Sequence, residues 1–235
     1  MKAQISLSVI TALLLALSGA ASAQSEQRCG SLKTHYGPFD YRTANEQQKS
    51  IVEDAHFTRG VEMLTEGKTG SFGGDIRYTL FAFPNHPRAL LAMERLVEKE
   101  RKNPARDAQY TIECYYDRAL RFKANDHIVR LLYVNFLVKR KQPDEALRHL
   151  DYVAETTQDN PFAQFNAGML YMDMALYDKA LVQAHRVIAM GFERRELRDR
   201  LAAAGRWVEP PAAAASAASA PAAAEVAAPA SAASR

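Results

Sequence analysis

Six histidines are the residues best suited to chemistry in this chain of 235: His35, His56, His86, His127, His149 and His185. Imidazole serves as a metal ligand or as a general base. The spacing supports neither use. No histidine meets another at i+4 or stands beside Cys or Glu in a metal-ligand pattern, so no metal is expected. There is no GxSxG, and nothing marks a Ser–His–Asp or Cys–His arrangement. Gly67-Lys68-Thr69 looks like the end of a phosphate-binding loop. That motif requires a glycine five residues ahead, where Glu62 stands, and a hydrophobic strand leading in, which is missing. Glu66 to Gly74 is therefore read as a turn. One polar set remains: Tyr36, Asp40, Arg42, His56 and His86. It would form a small-ligand or catalytic site between an N-terminal arm and the helices behind it. Apart from that alternative, no catalytic residue and no cofactor are expected.

Cys29 and Cys114 are the two cysteines. An oxidising compartment invites a disulfide between them, tying the N-terminal arm to the helices across a long loop. The other reading is one buried thiol and one tethered elsewhere. There is no CxxC for thiol exchange and no CxxCH for c-type haem. The compartment follows from residues 1–23: an early Lys2, the apolar run Ile10 to Leu17, then Ala21-Ser22-Ala23. That is the pattern of a cleaved secretory signal peptide. The run is too short to cross about 30 Å of hydrocarbon, and no later stretch could span a bilayer. Glu26-Gln27-Arg28 before Cys29 argues against lipidation. The mature chain is expected in the periplasm.

The formal charge is +3, and the leader carries Lys2 as its only charge, leaving +2. That is no footprint for nucleic acid. The basic clusters Arg101-Lys102, Lys139-Arg140-Lys141 and Arg194-Arg195 fall where helices should end, where cations complement the helix dipole.

Helical signals then follow one another. Gly37-Pro38 forbids a helix in Tyr36 to Arg42. The three aromatics there need a surface, so this reads as an extended arm packed on helices, or else as a ligand contact. Glu46 to Leu64 is helical in part, with Thr58 as a cap. Asp75 to Phe83 is ambiguous between a helix capped by Asp75 and a short extended piece. Asn85-His86-Pro87 starts a clear helix, and Asn103-Pro104 is expected to start the next. Further helices are read from His127 to Lys139, Pro143 to Thr156, Pro161 onward, Tyr177 onward and Glu193 to Ala204. Beyond Trp207 the chain is Ala, Pro and Ser with little to bury, so 208–235 is expected to be disordered.

Asp144-Glu145-Ala146-Leu147 and Asp178-Lys179-Ala180-Leu181 stand 34 residues apart. Helical hairpins at that period, with small residues at fixed places, mark stacked repeats. The small side chain lets two helix axes approach. Pro161 to Gly191 resembles a unit of the tetratricopeptide repeat (TPR) family. Gly168 and Ala180 stand at the family's small positions, Tyr171 and Tyr177 at aromatic ones, and Ala167, Ala184 and Val187 at other core positions. Gln164 departs where a large apolar residue belongs. The unit from His127 matches at Tyr133, Val134, Leu137, Ala146, Leu150 and Val153, with Pro143 replacing an aromatic. A third unit fits if seven residues are inserted around Arg101 to Ala108. The resemblance covers about Asn85 to Gly205. The arm is similar to that of exported bacterial members of the family, through Cys29-Gly30, Tyr36 to Arg42, His56-Phe57-Thr58 and Asp75 to Leu90. No activity follows from that likeness.

The resemblance implies an all-α fold: about three stacked antiparallel hairpins in an α-solenoid, whose first helices line a concave face. The lining positions are Ile128, Leu131, Asn135, Val138 and Lys139, then Phe162, Phe165, Met169, Met172 and Asp173. A groove with two Phe and two Met is apolar and adaptable. Either a partner or the chain's own arm would fill it. One branch of the family clamps a terminal carboxylate. Asn135 and Asn166 match its asparagines and Arg200 a later cation, but Leu131 and Glu196 stand where lysines belong, so the clamp is incomplete. The expected organisation is a signal peptide (1–23), an arm with accessory helices (24–84), TPR-like repeats (85–207) and a tail (208–235). The expected function is non-catalytic binding of a protein or peptide in the cell envelope, through Asn135, Phe162, Phe165, Asn166, Met169 and Met172. No nucleic-acid partner and no integral membrane segment after cleavage are expected.

Overall fold

The computed structural model describes residues 27–192 and 194–210. The expected signal peptide and nearly all of the expected tail lie outside them. The described chain is all-α, with no strand among the described residues. It forms two compact units, Met1–Ala146 and Leu147–Arg235. Position 84/85, where the arm was expected to give way to the repeats, lies inside the first unit.

The helices of the first unit are α1 (Glu46–His56), α2 (Arg59–Glu62), α3 (Phe72–Ala82), α4 (Pro87–Glu100), α5 (Ile112–Phe122) and α6 (His127–Lys139). Side-chain caps start each one. Asn45 and Gln48 form a reciprocal box at α1, and Thr58, Ser71, Thr111 and Asp126 cap α2, α3, α5 and α6. His86 caps α4 through its ring, with Pro87 in the first turn. Such caps satisfy amides that have no partner inside the helix. Two starts differ from the expectation. Helix α3 begins at Ser71 rather than Asp75, because the Asp75 carboxylate is taken by the preceding loop: Lys68 N donates to it at 2.8 Å and Thr69 N at 3.1 Å. Asn103-Pro104 does not start a helix. Its peptide bond is cis, and α5 waits for the Thr111 cap. The loop between is folded closely onto α3: a Cβ on Gly73 would stand 1.9 Å from the Arg106 carbonyl oxygen, so only glycine fits there.

The arm lies on this unit in extended form. Phe39 N donates to Ala82 O at 2.8 Å. Tyr36, Phe39 and Tyr41 cover Val52, Ala82 and Phe83. Upstream, Cys29 and Cys114 form a disulfide with Cα atoms 5.1 Å apart. The guanidinium of Arg118 is buried beside it. Its Nη1 donates to Cys29 O (3.1 Å) and Ser31 O (2.7 Å), and it lies over the rings of Phe81 and Tyr110. Arg121 Nη2 donates to Gly30 O at 2.9 Å.

Helix α7 (Pro143–Thr156) contains the boundary between the units. The second unit is built on α8 (Pro161–Asp173), α9 (Tyr177–Ala189) and α10 (Glu196–Ala203). Asn160 caps α8, and Pro161 opens it. Only three residues join α8 to α9, so the two run antiparallel. Ala167, Tyr171, Ala180, Ala184 and Val187 are all buried. Gln164, polar where an apolar residue was expected, is fully buried and fully used. Its Nε2 donates to Ala154 O, Thr157 O and Thr157 Oγ1, and its Oε1 accepts from Arg186 Nη1 at 2.8 Å. A buried amide is tolerated when all its partners are present. Gly168 admits α10: a Cβ there would stand 2.3 Å from Leu197 Cδ2.

Candidate functional site

The expected contact residues do not form one exposed surface. Phe162 is 64% exposed, its ring edge-on to Phe192 at 4.9 Å. Phe165, one turn on, is 4% exposed. Phe192 covers its ring at 5.6 Å and the Arg194 guanidinium lies over it at 5.5 Å. Met172 is buried, and Met169 is half-buried with Arg200 Nη1 3.9 Å from its sulfur. Asn166 is exposed, but its Nδ2 donates to Phe162 O of the same helix at 2.8 Å. Asn135 lies in the first unit, half-buried on α6. The expectation of an open groove through Phe165 and Met172 is therefore corrected. The cover that the sequence assigned to a partner or to the arm comes in part from the chain after α9, because Phe192, Arg194 and α10 fold back over α8. Phe165 belongs to the core, and Phe162 alone of the two is presented to solvent.

The polar set of the arm is likewise built into packing. Asp40 accepts from Arg42 Nη2 (2.7 Å) and Asn85 Nδ2 (2.7 Å), and Asn85 also donates to Asp126. The Arg42 guanidinium, aided by Asn85, outweighs burial and holds the Asp40 carboxyl well below the usual range. Tyr36 is edge-on to Phe39. Tyr41 stacks on His86 at 3.9 Å and donates to Glu53 Oε1 at 2.8 Å. His86 is fully buried, with Nδ1 accepting from Ala89 N at 3.3 Å and Nε2 3.1 Å from Glu53 Oε1. Nδ1 accepts, so Nε2 must carry the proton, and the ring is the neutral tautomer.

Burial pushes the His86 ring down in spite of Glu53. Glu53 is pulled down to about 2, first by the bond from His86, against burial, then by Tyr41 and Arg88. With His86 neutral, the hydrogen bonds and the Arg88 charge hold Glu53 down, rather than an imidazolium. Both groups bind protons more readily unfolded than folded, so both contribute stability that is lost as pH falls. Unfolding followed against pH should show a loss beginning below about 6.5, the ordinary His value. It should deepen from about 4.5 downward, where Glu53 contributes about 2 kcal/mol after discounting its partial exposure. His86→Phe should remove the upper part of the slope, and an unchanged slope in that variant would contradict the neutral ring.

A cavity of about 430 Å³ opens between α4 and α6. Its apolar wall is Val97 and Phe136, and its rim holds Arg101, Lys102, Lys139 and Arg140. Two basic clusters read as separate helix ends thus meet at one place. Arg101 is in the left-handed conformation (φ 51°) at the end of α4. The side chains of Arg101 and Lys102 have no ion-pair partner among the described residues. Lys139 lies 3.8 Å from Glu94 and Arg140 3.8 Å from Glu113. Glu94, 4% exposed at the base, is pushed up by burial against the bond it accepts from the Tyr116 hydroxyl. Spacing gave no signal for this site, since Arg101 and Lys139 lie far apart in the chain. A signal did exist in their shared position, each at the C-terminal end of a helix.

Among the described residues there is no group of three or more side chains placed to hold a metal ion, and no helix long and apolar enough to cross a membrane. Compared with known proteins, the chain matches no family model, no curated protein and no solved structure.

Proposed function

We propose that the chain is an exported, non-catalytic module of TPR-like helical hairpins that binds a protein or peptide partner in the cell envelope. The period between Ala146 and Ala180 supports the repeat reading, as does the small-residue packing of α8 on α9. The leader-like residues 1–23 support a periplasmic location. The observation that carries the binding reading is the cavity between α4 and α6, the first helices of two proposed units. Two unpaired cations at its rim and an apolar wall of Val97 and Phe136 suit an acidic segment with an apolar side chain. Phe162, exposed on α8, is a second contact.

Affinity capture from an envelope extract tests this. The wild-type chain should retain a partner whose capture weakens as salt is raised. Arg101→Glu with Lys102→Glu should lose it, because like charge now meets the acidic segment. Both side chains are on the surface, so circular dichroism should be unchanged. A partner held equally by the charge-reversed variant, or insensitive to salt, would overturn the reading.

A further inference from the structure

A second cavity of the first unit, about 620 Å³, is lined by His56, Thr69, Arg77, Tyr78, Asp107 and Gln109 among others. Its volume suits a small molecule rather than a chain segment. Of the arm-side polar set that the sequence assembled, only His56 lines it. Thr69 comes from the glycine loop read as a turn, and Arg77, Asp107 and Gln109 belong to no motif.

His56 is held in a definite state. Its Nδ1 lies 3.3 Å from Asp75 Oδ1. Asp75 is fully buried, which raises its carboxyl, but the Thr69 hydroxyl and the amides of Lys68 and Thr69 outweigh this and keep it below the ordinary value. An ionised carboxylate only accepts, so Nδ1 carries a proton and is turned to Asp75, which leaves Nε2 as the ring nitrogen not used by Asp75. Tyr78 stacks on the imidazole at 3.9 Å and fixes its plane. Two amides of the glycine loop, Lys68 N and Thr69 N, are spent on Asp75. Through Asp75 the loop positions the imidazole.

The rest of the cavity supplies complementary groups. Arg77 has no ion-pair partner among the described residues. Asp107 and Gln109 both hold left-handed backbone, at φ 61° and 67°, a conformation that costs a non-glycine residue roughly 1 kcal/mol or more. Strain of this kind persists where surrounding structure imposes it. Here the close approach of Gly73 to Arg106 O pins the loop.

We propose that this cavity binds a small hydroxylated anion, with a ligand hydroxyl hydrogen-bonded to His56 Nε2 and a carboxylate or phosphate of the same molecule held by Arg77. Gln109 and Asp107 are placed for further ligand hydroxyls, and the Asp107 carboxylate disfavours a second anionic group. The proposal is independent of partner binding between α4 and α6, since the two cavities share no residue.

Calorimetric titration of the full chain tests it, with gluconate and glucose 6-phosphate as probes. Acetate, inorganic phosphate and glucose are the controls, each carrying only one of the two required features. At least one probe should bind about tenfold or more tightly than every control, and which one does so separates a carboxylate from a phosphate ligand. His56→Ala and Arg77→Gln should each weaken that probe by about tenfold or more, as expected for a lost charge-assisted or buried bond. The His56 ring-proton resonance should move on addition of the probe to the wild-type chain. Arg77 is half-buried and unpaired, so Arg77→Gln should keep the wild-type unfolding temperature and serves if His56→Ala does not fold. Probes that bind no better than the controls, or that bind Arg77→Gln like wild type, would overturn the proposal. Failure here with salt-dependent capture intact would leave the partner-binding reading standing.

Discussion

Replacing both Cys29 and Cys114 with alanine is expected to lower stability by about 4–5 kcal/mol in chemical denaturation. The magnitude follows from loop closure. The bond joins residues 85 apart, and a cross-link over a loop of that length removes about this much chain entropy from the unfolded state. Nothing larger holds the start of the described chain. Gly30 and Ser31 lie outside any helix, and residues 29–31 touch the unit through the disulfide and through carbonyl oxygens facing α5. The double variant should also expose residues 27–35 to protease ahead of the helices, because from Tyr36 on the arm is held separately by its aromatics and by the bonds of Phe39, Asp40 and Tyr41. A loss below about 1 kcal/mol would mean that the arm is anchored mainly by other groups.

The foremost of those groups is Arg118, and Arg118→Ala is expected to cost about 4 kcal/mol. Two charge-assisted bonds to Cys29 O and Ser31 O are lost, each worth roughly 1.5–3 kcal/mol. Two half-buried rings, Phe81 and Tyr110, lose the guanidinium that lies over them. Arg118→Lys should recover part of this only, because an ammonium can satisfy a carbonyl but cannot stack as a guanidinium does. The disulfide and Arg118 hold the same three residues, so their removals should not add. A double-mutant cycle in equilibrium unfolding should give a coupling of about 1 kcal/mol or more. Strict additivity would show that the two act on separate parts of the arm.

Much of the local structure was legible. Thr58, Asp126 and Asn160 are caps because short polar side chains bond amides two or three residues on, and this needs no tertiary context. The interval between Ala146 and Ala180, and the pattern from Pro161 to Val187, announce a tightly packed hairpin for the same reason: small residues must recur where axes approach. The arm's aromatics need a surface, and Gly37-Pro38 forbids a helix, so extended packing follows from composition. Asp75 and Asn103-Pro104 misled because each resembles a helix start. Asp75 is claimed by Lys68 and Thr69 amides from the preceding loop, and after Pro104 the chain stays outside any helix until Thr111 caps α5.

The sites were less legible than the elements. Phe162 and Phe165 read alike in sequence, yet one is open and the other lies under Phe192 and Arg194. Arg101-Lys102 and Lys139-Arg140 read as ordinary helix ends, yet they surround one cavity. Gln164 read as a defect and is a satisfied junction between Ala154, Thr157 and Arg186.

By itself the sequence determined the all-helical class, most helix starts and the pair of cysteines available to staple the arm. These depend on caps, periodicity and residue type, which act over a few positions. Only the tertiary structure decided which histidine keeps a free nitrogen, which aromatic is covered and which cations lack partners. Those outcomes depend on contacts between segments tens of residues apart. A one-dimensional pattern carries the demand for such contacts, but not the identity of the group that meets it.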